Sequence, residues 1–323
     1  MNKFIEVKNL IKEFPIKKGF FNKQVGAVHA INNISFDIFK GETLGLVGES
    51  GCGKSTTGRC VLGLIPPTSG SVKINNIEIT SSDSKTIQHL RKKMQIIFQN
   101  PYSSLNPRMT VKDILREPFI IHEKNLSKKD VDKKLIELLD MVGMGENVLN
   151  RYPHEFSGGQ RQRIGIARAL TLRPEFIVAD EPVSALDISI QAQIINLMQK
   201  LKNELNLTYL FISHDLSVIR YVCDRVAVMY LGEIVEIAPT QELYSNPKHP
   251  YTQALLNSVP VPDPNKDLSS RIILKGDLPS PVTMPSGCKF HTRCPYVMDI
   301  CSKVDPEYTK ISEDHTAKCH LLN

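Results

Sequence analysis

One stretch of eight residues combines glycines, a lysine and a serine at a spacing that suits phosphate chemistry. It reads GESGCGKS, residues 48–55, and fits the pattern G-x-x-x-x-G-K-[S/T]. Glycines let backbone N–H groups converge on phosphate oxygens, and a helix that follows adds partial positive charge. The pattern predicts that Lys54 reaches the terminal phosphates of a nucleotide, Ser55 ligates Mg²⁺ and Thr56 donates to a phosphate. The predicted nucleotide-binding residues here are Gly48, Glu49, Ser50, Gly51, Cys52, Gly53, Lys54, Ser55 and Thr56.

An apolar stretch that ends in two acids supplies a second element. Residues 176–179 read FIVA and are followed by Asp180 and Glu181. We predict that Asp180 holds the Mg²⁺ shell and that Glu181 polarises the attacking water. Alone, a strand ending in acids has many uses, and the first stretch has a chance glycine-rich turn as its alternative. Together the two elements predict nucleotide hydrolysis.

Short apolar runs alternate with longer helical stretches over the first 240 residues. The predicted strands are 43–47, 95–98, 176–179, 208–212 and 226–229. Continuous apolar strands usually lie in a largely parallel sheet covered on both faces, so the predicted class is α/β. Strand 43–47 precedes the glycine-rich stretch, and a helix is predicted from about Ser55, as the phosphate motif requires. Residues 101–170 contain no good strand and predict a helical insert, with helical apolar spacing over 131–142.

The composition changes after about Ala238, where prolines become frequent. Proline at this density opposes long helices and central strands. We therefore predict one domain over residues 1–240, with a helical subdomain at about 101–170, and a loop-rich extension over 241–323. So short an extension has little hydrophobic core of its own and needs an additional cross-link to be stable. Four of the seven cysteines fall in its last part and are the candidates: Cys288, Cys294, Cys301 and Cys319.

The composition and charge of the chain exclude several classes of protein. Its 323 residues are 41% hydrophobic, and no apolar run approaches the about 18 residues that span a bilayer. The N-terminus has no apolar core of a signal peptide, so we expect a cytosolic chain. The net charge of +6 comes from scattered lysines, with no basic stretch interleaved with aromatics. We therefore expect no nucleic-acid partner.

Further motifs make the sequence similar to the ABC ATPase family over about residues 4–240. The segment FSGGQ, residues 156–160, resembles the family's signature motif, with Phe156 where leucine is commonest. It opens a predicted helix, so it forms a second anion-binding helix N-terminus. The nucleotide contacts that the resemblance implies here are Ser157, Gly158, Gly159 and Gln160. A serine cap followed by flexible glycines is the alternative.

The other motifs occur in the family's order. Gln99 resembles the Q-loop glutamine, which implies a contact with Mg²⁺ and water, and residues 184–187 resemble the D-loop. His214 resembles the switch histidine, which implies a catalytic contact with the γ-phosphate beside Glu181. Phe14 resembles the aromatic residue that stacks on adenine, although Phe20 and Phe21 lie nearby.

The resemblance implies a P-loop NTPase fold, namely a RecA-like core plus a helical subdomain. It also implies a dimer in which the signature motif of one subunit closes over ATP that the other subunit holds. Closure then aligns Glu181, a water and His214 with the γ-phosphate. Hydrolysis on this scheme is mainly positioning and charge stabilisation.

The segment NPKHPYTQALL, residues 246–256, is similar to the His-Pro-Tyr segment of oligopeptide and dipeptide importer ATPases. That subfamily also serves nickel and opine-type substrates. The insert at 17–21 and Cys52 resemble one of two paralogous ATPases in such systems. The resemblance implies two transmembrane permeases, a second ATPase subunit and an external binding protein, with this chain at the cytoplasmic face of the membrane. Residues 101–107 would contact a permease.

The four C-terminal cysteines are separated by 5, 6 and 17 residues, and none forms the C-x₂-C typical of structural zinc. Four cysteines can ligate an iron–sulfur cluster, and the subfamily resemblance implies a [4Fe–4S] cluster. Zinc, disulfides or four unconnected buried thiols are the alternatives.

Three other functions fit the sequence less well. ABC ATPases that act on DNA or ribosomes commonly carry two cassettes or long inserted arms, and this chain has one cassette without such an arm. A module that binds ATP without turnover is opposed by intact Lys54, Asp180, Glu181 and His214. Exporter cassettes are often fused to transmembrane segments, which we do not expect here.

Overall fold

The computed structural model describes residues 2–19, 23–258 and 276–322. Phe20 and Phe21 lie outside the described residues. In chain order the strands are β1 (Lys3–Lys18), β2 (Lys23–Phe39), β3 (Thr43–Val47), β4 (Ser69–Ile74), β5 (Ile77–Glu78), β6 (Met94–Ile97), β7 (Phe176–Asp180), β8 (Thr208–Ser213), β9 (Arg225–Tyr230), β10 (Glu233–Pro239), β11 (Tyr308–Lys310) and β12 (Thr316–Lys318).

The helices follow the same chain order. They are α1 (Lys54–Val61), α2 (Ser84–Lys93), α3 (Pro101–Ser104), α4 (Val111–His122), α5 (Lys128–Met141), α6 (Gly158–Leu170), α7 (Ile188–Leu205), α8 (Leu216–Val222), α9 (Thr240–Ser245) and α10 (Pro250–Ser258). Short 3₁₀ turns lie at Glu146–Val148, Pro153–Glu155, Asp299–Ser302 and His320–Leu322. None of the helices in the described ranges is long and apolar enough to cross a bilayer.

The chain folds into two compact units. The helical unit comprises residues 39–42 and 82–212, and the sheet unit comprises 2–38, 43–81 and the described residues from 213 to 322. The five predicted strands are confirmed to within a residue or two, as β3, β6, β7, β8 and β9. The mixed α/β class that the apolar runs predict is therefore confirmed.

The helical unit is built on three parallel strands, with β7 paired to β6 on one side and to β8 on the other. All five residues of β7 are buried, as are all six of β8. The helix predicted over 131–142 is confirmed as α5. Ser127 caps the N-terminus of this helix, because its side chain accepts a hydrogen bond from Asp130 N at 3.2 Å. The insert between β6 and β7 is helical throughout its regular elements, as predicted.

The sheet unit contains two sheets. In the mixed sheet β9 runs parallel to β3, and β10 runs antiparallel to β9 and β12. The second sheet has the order β2-β1-β4-β5, and β4 is antiparallel to both of its neighbours. This second sheet was not predicted, because its strands mix buried and exposed positions without a continuous apolar run.

The C-terminal extension holds more regular structure than its prolines suggest. Pro250 opens α10, where its missing N–H is not needed, so proline starts this helix instead of breaking it. Strand β12 pairs with β10, with Ala317 opposite Glu236, and thereby adds a strand to the mixed sheet. The domain boundary between residues 240 and 241 stays a prediction.

Candidate functional site

The glycine-rich loop joins β3 to α1 and packs against neighbouring backbone. Gly48 and Gly53 have φ angles of 154° and 105°. A Cβ on Gly53 would lie 2.0 Å from the Ala30 carbonyl oxygen, and one on Gly48 would lie 2.1 Å from that of Met229. Both the left-handed backbone and the close approach therefore require glycine at these positions.

Lys54 lies within the curve of this loop. Its Nζ donates to the carbonyl oxygens of Gly48 at 2.7 Å and Glu49 at 2.9 Å, and the residue is only 4% exposed. Ser55 and Thr56 are half-buried on the first turn of α1. Gly53 occupies the N-cap without a side-chain cap, and the positive end of the helix dipole points into the loop. The arrangement suits a polyphosphate.

In the helical unit, two of the predicted residues meet directly. Gln99 follows β6 and Glu181 follows β7, and Gln99 Nε2 donates to Glu181 Oε2 at 2.8 Å. The two strands are parallel neighbours, so their carboxyl ends lie at the same edge of the sheet. Asp180 is buried at the end of β7. Glu181 has a left-handed φ of 46°, and its N–H donates to Ile212 O at 2.9 Å.

The FSGGQ segment caps α6. Ser157 Oγ accepts from Gln160 N at 3.3 Å, and Gln160 Oε1 accepts from Ser157 N at 3.0 Å, which is a reciprocal capping box. Both residues are exposed. A Cβ on Gly159 would lie 2.5 Å from Ile190 Cγ2 on α7. The second glycine thus has a packing reason that the sequence alone did not reveal.

The remaining predicted residues lie on exposed positions of the sheet unit. Phe14 is 38% exposed on β1, with Lys12 Nζ 4.9 Å from its ring centroid. His214 is exposed directly after β8. By unit, the predicted residues divide into Phe14, residues 48–56 and His214 in the sheet unit, and Gln99, residues 157–160, Asp180 and Glu181 in the helical unit.

Two residues that contact the glycine-rich loop were missed by sequence reasoning. Tyr251 Oη accepts a hydrogen bond from Glu49 N at 2.9 Å, and Arg293 Nη1 donates to both carboxylate oxygens of Glu49 at 3.0 Å. Neither residue lies at a spacing that links it to the loop. Tyr251 belongs to the His-Pro-Tyr segment, which marked only a subfamily resemblance.

The four C-terminal cysteines lie within electrostatic range of one another. Burial raises the pKa of Cys288 to about 11, and the neighbouring Cys319 and Cys301 raise it further. Burial also raises the pKa of Cys294 and of Cys319, again with two other cysteines of the set contributing. Within the described ranges, no three His, Cys, Asp or Glu side chains are arranged so that they could hold one metal ion.

The glycine-rich loop, the capped FSGGQ helix and the acidic end of β7 define an ABC-type ATP-binding cassette, and the comparisons agree. The ABC transporter family model matches residues 31–184, and the model for the C-terminal region of oligopeptide/dipeptide transporters matches 235–301. The chain is also similar to the dimeric post-hydrolysis structure of the ATP-binding cassette MJ0796 bound to ADP and Pi. That match has a TM-score of 0.65 and 31% identity, and it covers 73% of this chain and 98% of that one.

Curated relatives narrow the class. The chain is 54% identical over 321 residues to the oligopeptide transport ATP-binding protein AppF of Bacillus subtilis, covering 99% of this chain and 97% of the relative. It is 46% identical over 318 residues to the oligopeptide transport ATP-binding protein OppF of Haemophilus influenzae, covering 98% and 96%. The chain therefore belongs to the oligopeptide/dipeptide branch of the ABC transporter ATP-binding family.

Proposed function

We propose that this chain is the ATP-hydrolysing subunit of an ABC importer that takes up oligopeptides or dipeptides. The observation that carries the proposal is the match to oligopeptide transport ATP-binding proteins over 99% of the chain. Lys54 inside the glycine-rich loop and the Gln99–Glu181 hydrogen bond supply groups that such an ATPase uses.

The proposed roles follow the sequence prediction. Lys54 and Thr56 bind phosphate oxygens, Phe14 stacks on adenine, and Glu181 accepts a proton from the attacking water. Mg²⁺ neutralises phosphate charge when bound, and its proposed ligands are Ser55 and Gln99, with Asp180 in its outer shell. His214 contacts the γ-phosphate.

A second set of contacts completes the site in a dimer. The exposed Ser157 and Gln160, with the amides of Gly158 and Gly159, are proposed to close over ATP that a partner ATPase holds. The dimeric ADP- and Pi-bound cassette of similar fold supports this arrangement.

The proposed assembly holds two transmembrane permeases, this chain and a second, paralogous ATPase. An extracytoplasmic peptide-binding protein delivers the cargo, and this chain lies at the cytoplasmic face of the membrane. Residues 101–107 are proposed to contact a permease. They include Tyr102, which is 59% exposed. The Arg161 guanidinium carbon lies 4.1 Å from the centroid of the Tyr102 ring.

The assembled transporter in vesicles tests the function. We expect peptide-loaded binding protein to stimulate ATP hydrolysis and ATP to drive peptide into the lumen. Lys54→Ala removes a charged phosphate contact, so both activities should fall by about 10²–10³-fold. Stimulation by nickel or an opine, with none by peptides, would contradict the proposed cargo. Hydrolysis that survives in the Lys54 variant would contradict the proposed site.

We propose further that Cys288, Cys294, Cys301 and Cys319 ligate a structural [4Fe–4S] cluster. In a zinc site all four sulfurs lie about 2.3 Å from one ion, whereas a four-iron cluster gives each sulfur its own metal and spaces the sulfurs more widely. The thiols raise one another's pKa, so they lie near one another, as a shared cluster requires. The cluster would supply the cross-link that stabilises the extension.

Anaerobic purification tests the cluster. We expect brown protein with iron and acid-labile sulfide, and visible absorbance that Cys294→Ser removes. Cys60→Ser is the matched control, because Cys60 is a buried cysteine on α1 outside the set, and this variant should keep the colour. Colourless, iron-free wild-type protein would refute the cluster. If that protein contained stoichiometric zinc, the four cysteines would be assigned to a zinc site instead.

A further inference from the structure

Glu49, the second residue of the glycine-rich loop, is held at three points. Its N–H donates to Tyr251 Oη at 2.9 Å, its carboxylate receives Arg293 Nη1 at 3.0 Å, and its carbonyl oxygen accepts Lys54 Nζ at 2.9 Å. Two of these partners come from the C-terminal extension and the third is the phosphate-binding lysine. A shift of Glu49 would therefore move the backbone to which Lys54 is bonded.

The tyrosine that receives the Glu49 amide is fixed by its surroundings. Tyr251 is fully buried in an aromatic cluster with Tyr230 and Phe290, whose ring centroids lie 4.7 and 5.4 Å from its own. His249 is buried two residues earlier, and its Nδ1 accepts the Tyr251 N–H at 3.0 Å. Burial lowers the pKa of His249 to about 3, which keeps this acceptor neutral. The hydroxyl thus has one well-defined position.

The arginine is fixed by the cysteine-bearing segment. Arg293 lies between Cys288 and Cys294, and its N–H donates to Phe290 O at 3.0 Å in a turn of that segment. The segment is anchored in turn by Cys288 N, which donates to Cys301 O at 2.8 Å. The Arg293 side chain is only 8% exposed where it meets Glu49. A largely desolvated, charge-assisted contact of this kind is stronger than a surface ion pair.

Neither contact uses the side chains that are proposed to bind phosphate or Mg²⁺. Tyr251 and Arg293 engage the amide and carboxylate of Glu49, whereas Lys54, Ser55 and Thr56 carry the proposed phosphate and Mg²⁺ contacts. The extension can therefore order the loop without competing with the nucleotide. A loop ordered beforehand does not lose that conformational freedom on binding, so its affinity is higher.

We propose that Tyr251 and Arg293 are positioning residues that hold the glycine-rich loop ready for ATP, so that the C-terminal extension sets nucleotide affinity. This inference rests on the proposed ATP-binding function. It assigns the extension a direct part in the nucleotide site, in addition to any part in folding. It also makes the Glu49 side chain an anchor for the loop and not a ligand of the nucleotide.

Titration of the full-length chain with MgATP tests the proposal. Tyr251→Phe removes only the hydroxyl, and Arg293→Met removes the guanidinium while keeping an unbranched apolar side chain. Each should raise the Kd for MgATP about fivefold or more, which is the lower range of energetic coupling between sites. In the assembled transporter the KM for ATP should rise while kcat changes less than about twofold. Arg293→Lys should restore part of the affinity.

Two controls separate positioning from general destabilisation. Tyr308→Phe also removes a hydroxyl from the extension, one that donates to Ile234 O at 2.8 Å, and should leave the Kd unchanged. Glu49→Gln combined with Arg293→Met should bind no more weakly than the weaker single variant, since both remove one contact. Unchanged affinity in Tyr251→Phe and Arg293→Met would overturn the inference. Wild-type protein that fails to bind MgATP would instead overturn the proposed function.

Discussion

Glu181→Gln should slow steady-state ATP hydrolysis by about 10²–10⁴-fold while leaving ATP binding close to wild type. The substitution keeps the size and shape of the side chain and removes its charge and its capacity to accept a proton. Phosphate release by the assembled transporter measures turnover, and MgATP titration measures binding. Peptide uptake should fall together with turnover.

The structure gives a reason for so selective a loss. Glu181 is placed by its own backbone, through N–H donation to Ile212 O at 2.9 Å and through its carbonyl oxygen, which accepts from Ser184 N at 3.3 Å. Neither bond depends on the carboxylate, so the left-handed turn should survive the substitution. Gln99 Nε2 can still donate to the amide oxygen at this position. The substitution therefore removes only the carboxylate that is proposed to accept the proton.

Glu175→Gln is the matched control. Glu175 lies directly before β7, and its carboxylate contacts Lys93 at 2.9 Å and Lys40 at 3.2 Å on the surface of the same unit. The same change of carboxylate to amide should cost only about 0.2–1 kcal/mol of stability and leave turnover intact. Hydrolysis at the wild-type rate in Glu181→Gln would remove Glu181 from the catalytic role.

His315→Leu should lower the free energy of unfolding by about 3–5 kcal/mol, the range for removing one partner of a buried polar pair. His315 is fully buried, with Nε2 2.8 Å from Glu236 Oε1 and Nδ1 2.8 Å from Glu242 Oε1. Glu236 is also fully buried and accepts the N–H groups of Lys248 and His249. The Glu236 carboxylate is therefore held by hydrogen-bond partners from two segments of the extension.

Each ring nitrogen of His315 lies 2.8 Å from a carboxylate oxygen. Leucine fills a similar volume but leaves the buried Glu236 carboxylate without this partner. The strand pairing of β12 with β10 lies beside this contact, since Thr316 is opposite Ile237. We therefore expect the C-terminal strands to loosen first.

Calorimetric unfolding of the full chain measures this effect. A loss of this size corresponds to a fall in Tm of about 4–7 °C for a protein of this length. His320→Leu is the control, because it removes the hydrogen bond from Nε2 to Val304 O at 2.9 Å, worth about 0.5–1.5 kcal/mol. Equal Tm values for the two variants would contradict the role of the contacts of His315 with Glu236 and Glu242.

Sequence patterns predicted the elements whose signal is local. Each of the five predicted strands is a short, largely apolar run, so its position could be assigned without knowing its partners. The glycine-rich loop and FSGGQ carry their chemistry in consecutive residues. The antiparallel sheet of β1, β2, β4 and β5 escaped prediction, because its strands bury residues such as Ile5 and Leu10 among exposed polar ones.

The extension shows a second limit of local patterns. Proline frequency correctly indicated short elements, but it said nothing of β12 joining β10, which depends on residues about 80 positions apart. The His-Pro-Tyr segment indicated a subfamily, while the contact of its tyrosine with Glu49 spans 202 positions of the chain. No spacing rule connects residues so far apart.

The sequence by itself identified the groups that could do chemistry: a glycine-rich loop, an acidic strand end, the FSGGQ segment and four C-terminal cysteines. The first three consist of residues within a few positions of one another, which backbone geometry alone brings together. The tertiary structure decided which groups hold that chemistry in place. Gln99 meets Glu181 because β6 and β7 are parallel neighbours, and Glu49 is anchored by Tyr251 and Arg293 because the extension folds back onto the glycine-rich loop. Such contacts are fixed by packing and burial across the whole unit, which no local pattern encodes.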